Sequence, residues 1–361
     1  MKFKFKLIRN KIRLVSATLG TLVWVLLISL CPANGQGKDK RLKDSSFPTT
    51  TDLGIKGTQF TINGTPTFLY GISYYGALGA SEEFILHDLA DMKEHGINWI
   101  RVWANWNGFN YDVSAVDGNG NPREPFFTKL KWLVTVCDRE GIIVDVTLTR
   151  GKDNAGPRLY TLDSHRRAVE AIIKLLIPYH NWYLDLANER DVCDERFVSF
   201  EELKQLRETA KQMDSRLLVT ASAGNDINRD DLREYLQTVR VDFICPHRPR
   251  WNSGSIEQTE AKTLEYLAWM KEMGRKVPVN YQEPFRRGYN DWQPKAGDFM
   301  SDLLNAKAGG AAGWCFHNGG QGDQAVEKPR RSFDMREKRL FDQLDKVELE
   351  AIEAMYKMLR K

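Results

Sequence analysis

From about residue 54, short apolar segments rich in β-branched and aromatic residues alternate with longer segments of helical periodicity. Eight of the short segments have the length and composition of buried strands: Phe68–Tyr74, Asn98–Trp103, Ile142–Thr147, Trp182–Ala187, Leu217–Ala221, Val241–Cys245, Val277–Tyr281 and Ala311–Phe316. Their starts lie 24 to 44 residues apart, which leaves room for one helix after each strand. Near-continuous apolar strands suit a parallel sheet that is covered on both faces. The pattern therefore predicts an α/β protein, a single (β/α)8 TIM barrel.

Local signals support helices between the strands. Ser81 precedes an apolar helical face, Ser199 and Glu202 have capping-box spacing, and Ser255–Met273 is helical in pattern. Asn63-Gly64 predicts a short N-terminal hairpin at the bottom of the barrel, and residues 333–361 are predicted to be helical. The alternative fold is an open doubly wound sheet. Such a sheet is expected to have a glycine-rich phosphate-binding turn after an early strand, and the sequence has none.

The N-terminus has the layout of an export signal. Six Lys or Arg residues precede the uncharged 17-residue run Leu14–Leu30, and small residues follow at Ala33 and Gly35. Residues 1–35 are predicted to be a signal peptide, or an uncleaved signal anchor, since 17 residues is near the lower limit for a span. Residues 36–52 are predicted to be a polar linker, and residues 53–361 are predicted to be the catalytic domain. We expect a secreted, periplasmic or cell-surface protein.

Charge and cysteine content narrow the range of partners. The formal charge of +4 becomes −2 once the six basic residues of the leader are removed, so nothing favours nucleic acid or a membrane surface. Cys137, Cys193, Cys245 and Cys315 show no CxxC spacing, and Cys245 and Cys315 lie in apolar runs that suggest buried thiols. The six histidines show no metal-ligand spacing, so no catalytic metal and no other cofactor is expected. A monomer is expected.

Polar and aromatic residues follow the predicted strands, where a barrel places its active site. They are Tyr74, Tyr75, Arg101, Trp103, Trp106, Arg150, Asn188, Glu189, Ser222, Asn225, His247, Arg248, Gln282, Glu283, Trp314, His317 and Asn318. Two carboxylates stand out, because Glu189 and Glu283 each end an apolar run. Two carboxylates that face each other can divide their roles: one is held protonated and the other stays ionised, as cleavage of a glycosidic bond requires. The alternative is that either glutamate pairs with an arginine, of which Arg101 is the obvious candidate.

Four motifs resemble a known clan of enzymes. They are Gly96-Ile97-Asn98-Trp99-Ile100-Arg101-Val102, Ala187-Asn188-Glu189, Tyr281-Gln282-Glu283 and Gly313-Trp314, in the order of strands two, four, seven and eight. Over residues 54–361 the chain is similar to the clan A retaining (β/α)8 glycoside hydrolases, in the style of the cellulase- and mannanase-like family 5. The resemblance implies a retaining β-glycoside hydrolase with Glu189 as acid/base and Glu283 as nucleophile.

The resemblance also implies substrate-binding roles. Asn188 would hydrogen-bond the sugar 2-hydroxyl, Arg101 would keep Glu283 ionised, and Trp314 would stack under the sugar at the cleavage point. His247 would take the strand-six place of a His-x-Tyr motif, and Tyr281 belongs to the strand-seven motif. The chain departs from the family at His247-Arg248-Pro249-Arg250, which lacks the Tyr, at His317, where an aromatic is usual, and at Pro284-Phe285.

Exposed tryptophans and a cluster of arginines bear on the substrate. Sugar C–H faces stack on aromatic planes, so Trp103, Trp106, Trp251 and Trp292 are candidate sugar contacts or packing residues. Arg248, Arg250, Arg286 and Arg287 either bind a carboxylate-bearing sugar or form loop salt bridges with Asp291, Asp298 or Glu257. Carbohydrate is the expected partner, with β-linked glucan or mannan chains favoured. Alternatives are a non-catalytic carbohydrate-binding barrel, a transglycosylase, or a hydrolase specific for uronic-acid glycans.

Overall fold

The computed structural model describes residues 49–108, 111–148, 159–192, 196–289, 291–318 and 334–360. The predicted leader, residues 36–48 of the predicted linker, Arg150 and Cys193 lie outside these ranges. Among the described residues, no helix is both long enough and apolar enough to cross a membrane.

The predicted (β/α)8 barrel is confirmed, although most of its strands are shorter than the apolar runs. The strands are β1 Leu53–Lys56, β2 Gln59–Ile62, β3 Thr65–Pro66, β4 Leu69–Ser73, β5 Trp99–Trp103, β6 Asn107–Gly108, β7 Tyr111–Asp112, β8 Ile143–Thr147, β9 Trp182–Asp185, β10 Leu218–Thr220, β11 Ser222–Ala223, β12 Cys245–Pro246, β13 Asn280–Tyr281 and β14 Gly313–Phe316. Seven of them form one parallel sheet in the order β10-β9-β8-β5-β4-β14-β13. The eighth barrel strand, β12, closes the ring: it pairs with β11, and Ile244 bridges Val279 just before β13.

Eight α-helices are present in the described part of the chain. They are α1 Glu82–Glu94, α2 Phe126–Glu140, α3 Leu162–Leu176, α4 Phe200–Met213, α5 Arg229–Arg233, α6 Gly254–Glu272, α7 Ala296–Ala308 and α8 Lys346–Leu359. The predicted caps are confirmed: Ser81 accepts the Phe84 N–H, and Ser199 and Glu202 form a capping box. The helix predicted as Ser255–Met273 is α6, and the C-terminal helical segment contains α8.

The predicted hairpin lies at the bottom of the barrel. Strands β2 and β3 flank Asn63-Gly64, and Phe60 is fully buried with its ring centroid 5.0 Å from that of Phe243. The ordered barrel begins earlier than predicted, because Thr50 and Thr51 donate backbone hydrogen bonds to the Asp138 carboxylate. The end of the predicted linker is therefore part of the domain.

The barrel interior changes from apolar at the bottom to ionic at the top. Gly71 leaves room for the Trp99 ring, since a Cβ there would lie 2.2 Å from a ring carbon. One layer higher, Arg101, Asp145 and Asp185 are all fully buried within the ring of strands. The described cysteines Cys137, Cys245 and Cys315 are buried free thiols, as predicted for the last two.

Candidate active site

The functional side chains converge because parallel strands bring their carboxyl ends to one rim. Arg101 lies on β5, and Glu189 follows β9 by four residues. Glu283 follows β13 by two residues, and His247 and His317 come directly after β12 and β14. One oxygen of Glu189, one oxygen of Glu283 and one ring nitrogen of His247 all lie within 4.8 Å of one another. The structure thus brings together the two predicted carboxylates.

Glu283 is buried and surrounded by donors. Its Oε1 accepts hydrogen bonds from Arg101 Nη1 and, at 3.0 Å, from the Tyr75 hydroxyl. Its Oε2 accepts from Arg250 Nη1 at 2.9 Å. Burial raises the pKa of this carboxyl, but His247 and the guanidiniums of Arg101 and Arg250 outweigh burial and hold the pKa well below its usual range. Glu283 is therefore ionised, the state that a nucleophile needs.

Arg101 is fixed in turn by the ionic layer beneath the site. Its Nε lies 3.2 Å from Asp145 Oδ2, and its Nη2 lies 3.4 Å from Asp185 Oδ2. Nη2 also donates to Asn188 Oδ1 at 2.8 Å. Burial raises the pKa of Asp145 to about 7, with Arg101 opposing that effect. Arg101 is thus held by buried oxygens on β8, on β9 and just after β9, which orients it towards Glu283.

Glu189 is more open than Glu283, with 23% of its side chain exposed. Its backbone has a positive φ of 49°, and its N–H donates to Ser222 Oγ at 3.0 Å. Its Oε1 lies 3.1 Å from His247 Nδ1 and 3.1 Å from Arg250 Nη2. Burial raises the pKa of Glu189, but the His247 hydrogen bond and the Arg250 charge oppose it, and the net pKa is lowered. Glu189 is consequently ionised in this arrangement.

Arg250 bridges the two carboxylates, which the sequence did not predict. One guanidinium nitrogen contacts Glu189 and the other contacts Glu283, and the side chain is 7% exposed. The alternative expectation was that either glutamate pairs with an arginine. Such pairs are present: Glu283 contacts Arg101 and Arg250, and Glu189 contacts Arg250. The spacing of Glu189, Glu283 and His247 would also suit a cation, but the Arg250 guanidinium already contacts both carboxylates there. The expected absence of a metal stays a prediction.

His317 links a second arginine to the site. Arg286 Nη1 lies 2.6 Å from His317 Nε2, and His317 Nδ1 lies 2.9 Å from the Tyr75 hydroxyl. Burial and the neighbouring arginines lower the pKa of His317 well below its usual value, although Glu283 opposes this. The imidazole is therefore neutral: Nε2 accepts from Arg286 and Nδ1–H donates to Tyr75, which donates to Glu283.

The structure places two predicted substrate contacts, Trp314 and Tyr281, away from the carboxylates. Trp314 is fully buried, and its indole N–H donates to Asp302 on α7 at 2.8 Å. Tyr281 is also fully buried, with its hydroxyl 2.6 Å from Thr263 Oγ1 on α6. These two residues are paired neighbours on β14 and β13, and both face the helices rather than the carboxylates. Neither is placed to touch a sugar in the barrel mouth.

The other predicted contacts border the site or lie away from it. Trp103 is 7% exposed and stacks on Tyr75 with ring centroids 4.6 Å apart, and Trp106 meets Trp103 edge-on. Trp251 is 58% exposed, whereas Trp292 packs against Phe285. Trp103 and Trp106 therefore both adjoin the carboxylates through Tyr75.

The arginine cluster divides into two pairs. Arg248 binds Asp226, and Arg287 binds Asp345 at 2.8 Å, so these two form structural ion pairs. Their partners differ from the predicted Asp291, Asp298 and Glu257. Arg250 and Arg286 instead reach the carboxylates and His317. The signal in the sequence was the density of arginine after strands six and seven, but spacing alone does not say which arginines face inward.

No protein-family model and no curated protein matches this chain. Solved structures do match. A Bacteroides vulgatus protein assigned as a glycoside hydrolase is similar at 17% identity and a TM-score of 0.63, over 90% of this chain and 62% of that one. The chain thus spans less than two thirds of the length of that relative.

Two mannanases are similar over their whole length. The endo-1,4-β-mannanase of Rhizomucor miehei matches at 14% identity and a TM-score of 0.58, covering 86% of this chain and 100% of that one. The β-mannanase of Streptomyces thermolilacinus matches at 13% identity and a TM-score of 0.56, covering 86% and 96%. At such identities the likeness establishes the (β/α)8 barrel fold that these proteins share with the chain.

Proposed function

We propose that the protein is a retaining β-glycoside hydrolase. The observation that carries the proposal is the pair Glu189 and Glu283 at the ends of β9 and β13, with oxygens within 4.8 Å. Retaining enzymes place their carboxyl groups about 5–5.5 Å apart, whereas inverting enzymes leave about 6.5–9.5 Å for a water. The short separation favours a covalent glycosyl-enzyme intermediate. The solved glycoside hydrolases and mannanases that share the barrel support the same class of reaction.

The environments of the two carboxylates assign their roles. Glu283, buried and held ionised by Arg101 and Tyr75, attacks the anomeric carbon while the glycosidic bond breaks. Glu189, the more exposed, takes up a proton from solvent once Arg250 has left it, gives that proton to the leaving oxygen and later removes one from the attacking water. Arg250 must leave Glu283 Oε2 and Glu189 Oε1 before either step, since it occupies both oxygens in the structure.

The substrate class is a β-linked oligosaccharide or polysaccharide. A β-mannan is the first neutral chain to test, because two barrels of the same fold are mannanases. We propose further that residues 1–35 direct export, so that the enzyme meets its glycan outside the cytoplasm.

Aryl β-glycosides with good and poor leaving groups test the assignment. Glu283→Gln should lose activity on both kinds by about 10³-fold or more, because no nucleophile remains. Glu189→Gln should lose activity on poor leaving groups and keep more of it on good ones, which leave without a proton. Proton NMR of the first-formed sugar should show retained β configuration. An inverted product, or equal losses in Glu189→Gln for both leaving groups, would refute the assignment. Glycan binding without cleavage would instead indicate a carbohydrate-binding barrel.

A further inference from the structure

Two arginines, the buried Arg250 and the half-buried Arg286, meet at the barrel mouth beside the carboxylates. The guanidinium carbons of Arg250 and Arg286 lie 5.4 and 4.9 Å from the Tyr289 ring centroid. Arg250 comes from the loop after β12 and Arg286 from the loop after β13. Burial lowers the pKa of Arg286, and the positive charge of Arg250 lowers it further. These two loops therefore concentrate positive charge where the substrate must enter.

The three arginines of the site differ in their partners. Arg101 is faced by Asp145, Asp185 and Glu283, and Arg250 by both glutamates. In the described part of the chain, no carboxylate oxygen lies within 4.0 Å of Arg286. Its Nη1 contacts the neutral His317, and its Nε is buried without a hydrogen-bond partner. A guanidinium whose buried Nε has no partner among the described residues can still bind an anion, so a carboxylate of the ligand is its natural complement.

A second unpartnered group adjoins His317 in the chain. Asn318 is fully buried, and neither its amide nitrogen nor its amide oxygen has a hydrogen-bond partner among the described residues. Buried polar groups are normally satisfied, so the Arg286 Nε and the Asn318 amide can each bind a ligand atom. A guanidinium donor suits a charged, oxygen-rich substituent better than a plain hydroxyl.

We propose that the substrate carries a carboxylate on the sugar at the cleavage point, as in a uronic acid, and that Arg286 and Arg250 bind it. This inference rests on the proposed glycosidase function and names its substrate class. A planar carboxylate matches the guanidinium fork with two parallel hydrogen bonds. A sulfate ester offers the same charge with a different shape, and the experiment below separates the two.

The proposal also accounts for the position of Arg250. A neutral sugar that displaced Arg250 from Glu189 and Glu283 would supply no anion in exchange for these two carboxylates. A carboxylate on the sugar supplies the replacement partner, so Arg250 can turn from the enzyme's carboxylates to that of the substrate. Glu283 Oε2 is then free to attack, and Glu189 loses the cation that favours its ionised form.

The test uses aryl β-glycosides matched except at C6: the uronide, its neutral parent and the parent's 6-sulfate, in the glucose and mannose configurations. The kcat/KM of the wild type should be about 100-fold higher for a uronide than for its neutral parent. Arg286→Gln should reduce this ratio to near one, and Arg286→Lys should restore part of it. Arg287→Gln is the matched control, since Arg287 pairs with Asp345, and it should leave the ratio unchanged.

Each contrary result has a distinct meaning. Glutamate-dependent cleavage of neutral glycosides with no advantage for uronides overturns this inference and keeps the proposed function. A preference for the 6-sulfate, or equal losses of Arg286→Gln on all substrates, also overturns it. If no glycoside is cleaved, calorimetry with the free uronic acids and neutral sugars decides. Binding of the uronic acid that depends on Arg286 keeps the inference while the proposed function fails, and the lack of such binding overturns both.

Discussion

The titration of Asp302 on α7 gives a quantitative test of the contact between Trp314 of β14 and the helices. Its Oδ2 accepts the Trp314 indole N–H at 2.8 Å, and its Oδ1 lies 2.5 Å from Thr259 Oγ1. That hydroxyl is also 2.9 Å from Ser255 O, and it has only one proton to give. The Thr259 proton is therefore shared between two acceptors, Asp302 Oδ1 and Ser255 O. Burial raises the pKa of Asp302 to about 6, although the hydrogen bonds from Thr259 and Trp314 oppose that effect.

The raised pKa predicts that ionisation of Asp302 destabilises the folded state. Below its unfolded pKa of 3.8, the carboxyl is protonated in both states. Between 3.8 and about 6 the folded state binds more protons, so stability falls as pH rises through this window. At 1.36 kcal/mol per pH unit the full loss is about 3 kcal/mol, of which about 2 kcal/mol falls between pH 4.5 and 8. The variant Asp302→Asn removes the titration and keeps one acceptor for Trp314 and one donor for Thr259.

Urea unfolding at pH 4.5 and pH 8, followed by tryptophan fluorescence, measures the effect. Relative to wild type, Asp302→Asn should gain about 2 kcal/mol in free energy of unfolding between the two pH values. Glu260→Gln removes an exposed carboxyl from the neighbouring helix α6 and should show no such gain. An Asp302→Asn variant that is equally destabilised at both pH values would refute the reasoning, because the ionised carboxylate would then be the favoured form.

Three further predictions concern the site and its surroundings. Tyr75→Phe removes the hydroxyl that donates to Glu283 Oε1 and should raise the pKa of Glu283, so the acidic limb of kcat/KM should move to higher pH with about a tenfold loss of rate. Arg250→Gln removes a cation from both carboxylates, so both limbs of the pH profile should move to higher pH, while Arg287→Gln should leave them in place. Trp314→Phe leaves Asp302 without its indole donor and should cost about 1–3 kcal/mol in urea unfolding; an accompanying loss of glycan affinity would contradict the outward orientation of this side chain.

The barrel and the two glutamates were predictable for one physical reason. Strands that are buried on both faces consist of continuous apolar residues, so the number of strands and their ends can be recognised in the sequence. Glu189 and Glu283 stand where such runs stop, and parallel strands bring those ends to one rim.

Which way each strand residue faces was not predictable. In Gly313–Phe316 every residue is buried, so polar residues do not distinguish the positions that face the barrel interior from those that face the helices. Trp314 was therefore assigned to the mouth although Cys315 faces the interior. The role of Arg250 depends on the packing of a loop after β12 against residues from β9 and β13, which no local pattern encodes.

The charge state of the site in the structure differs from the charge state that cleavage of a glycosidic bond requires. A glycosidase needs one ionised and one protonated carboxyl, yet Arg250 and His247 favour ionisation of both Glu189 and Glu283. The two carboxylates acquire different states only when a cation leaves Glu189 while Arg101 stays with Glu283. Arg101 cannot leave readily, because Asp145, Asp185 and Asn188 hold it from below. Movement of Arg250 therefore gives the two glutamates their different roles. Substrates that can draw Arg250 away from both carboxylates are the ones that this site favours.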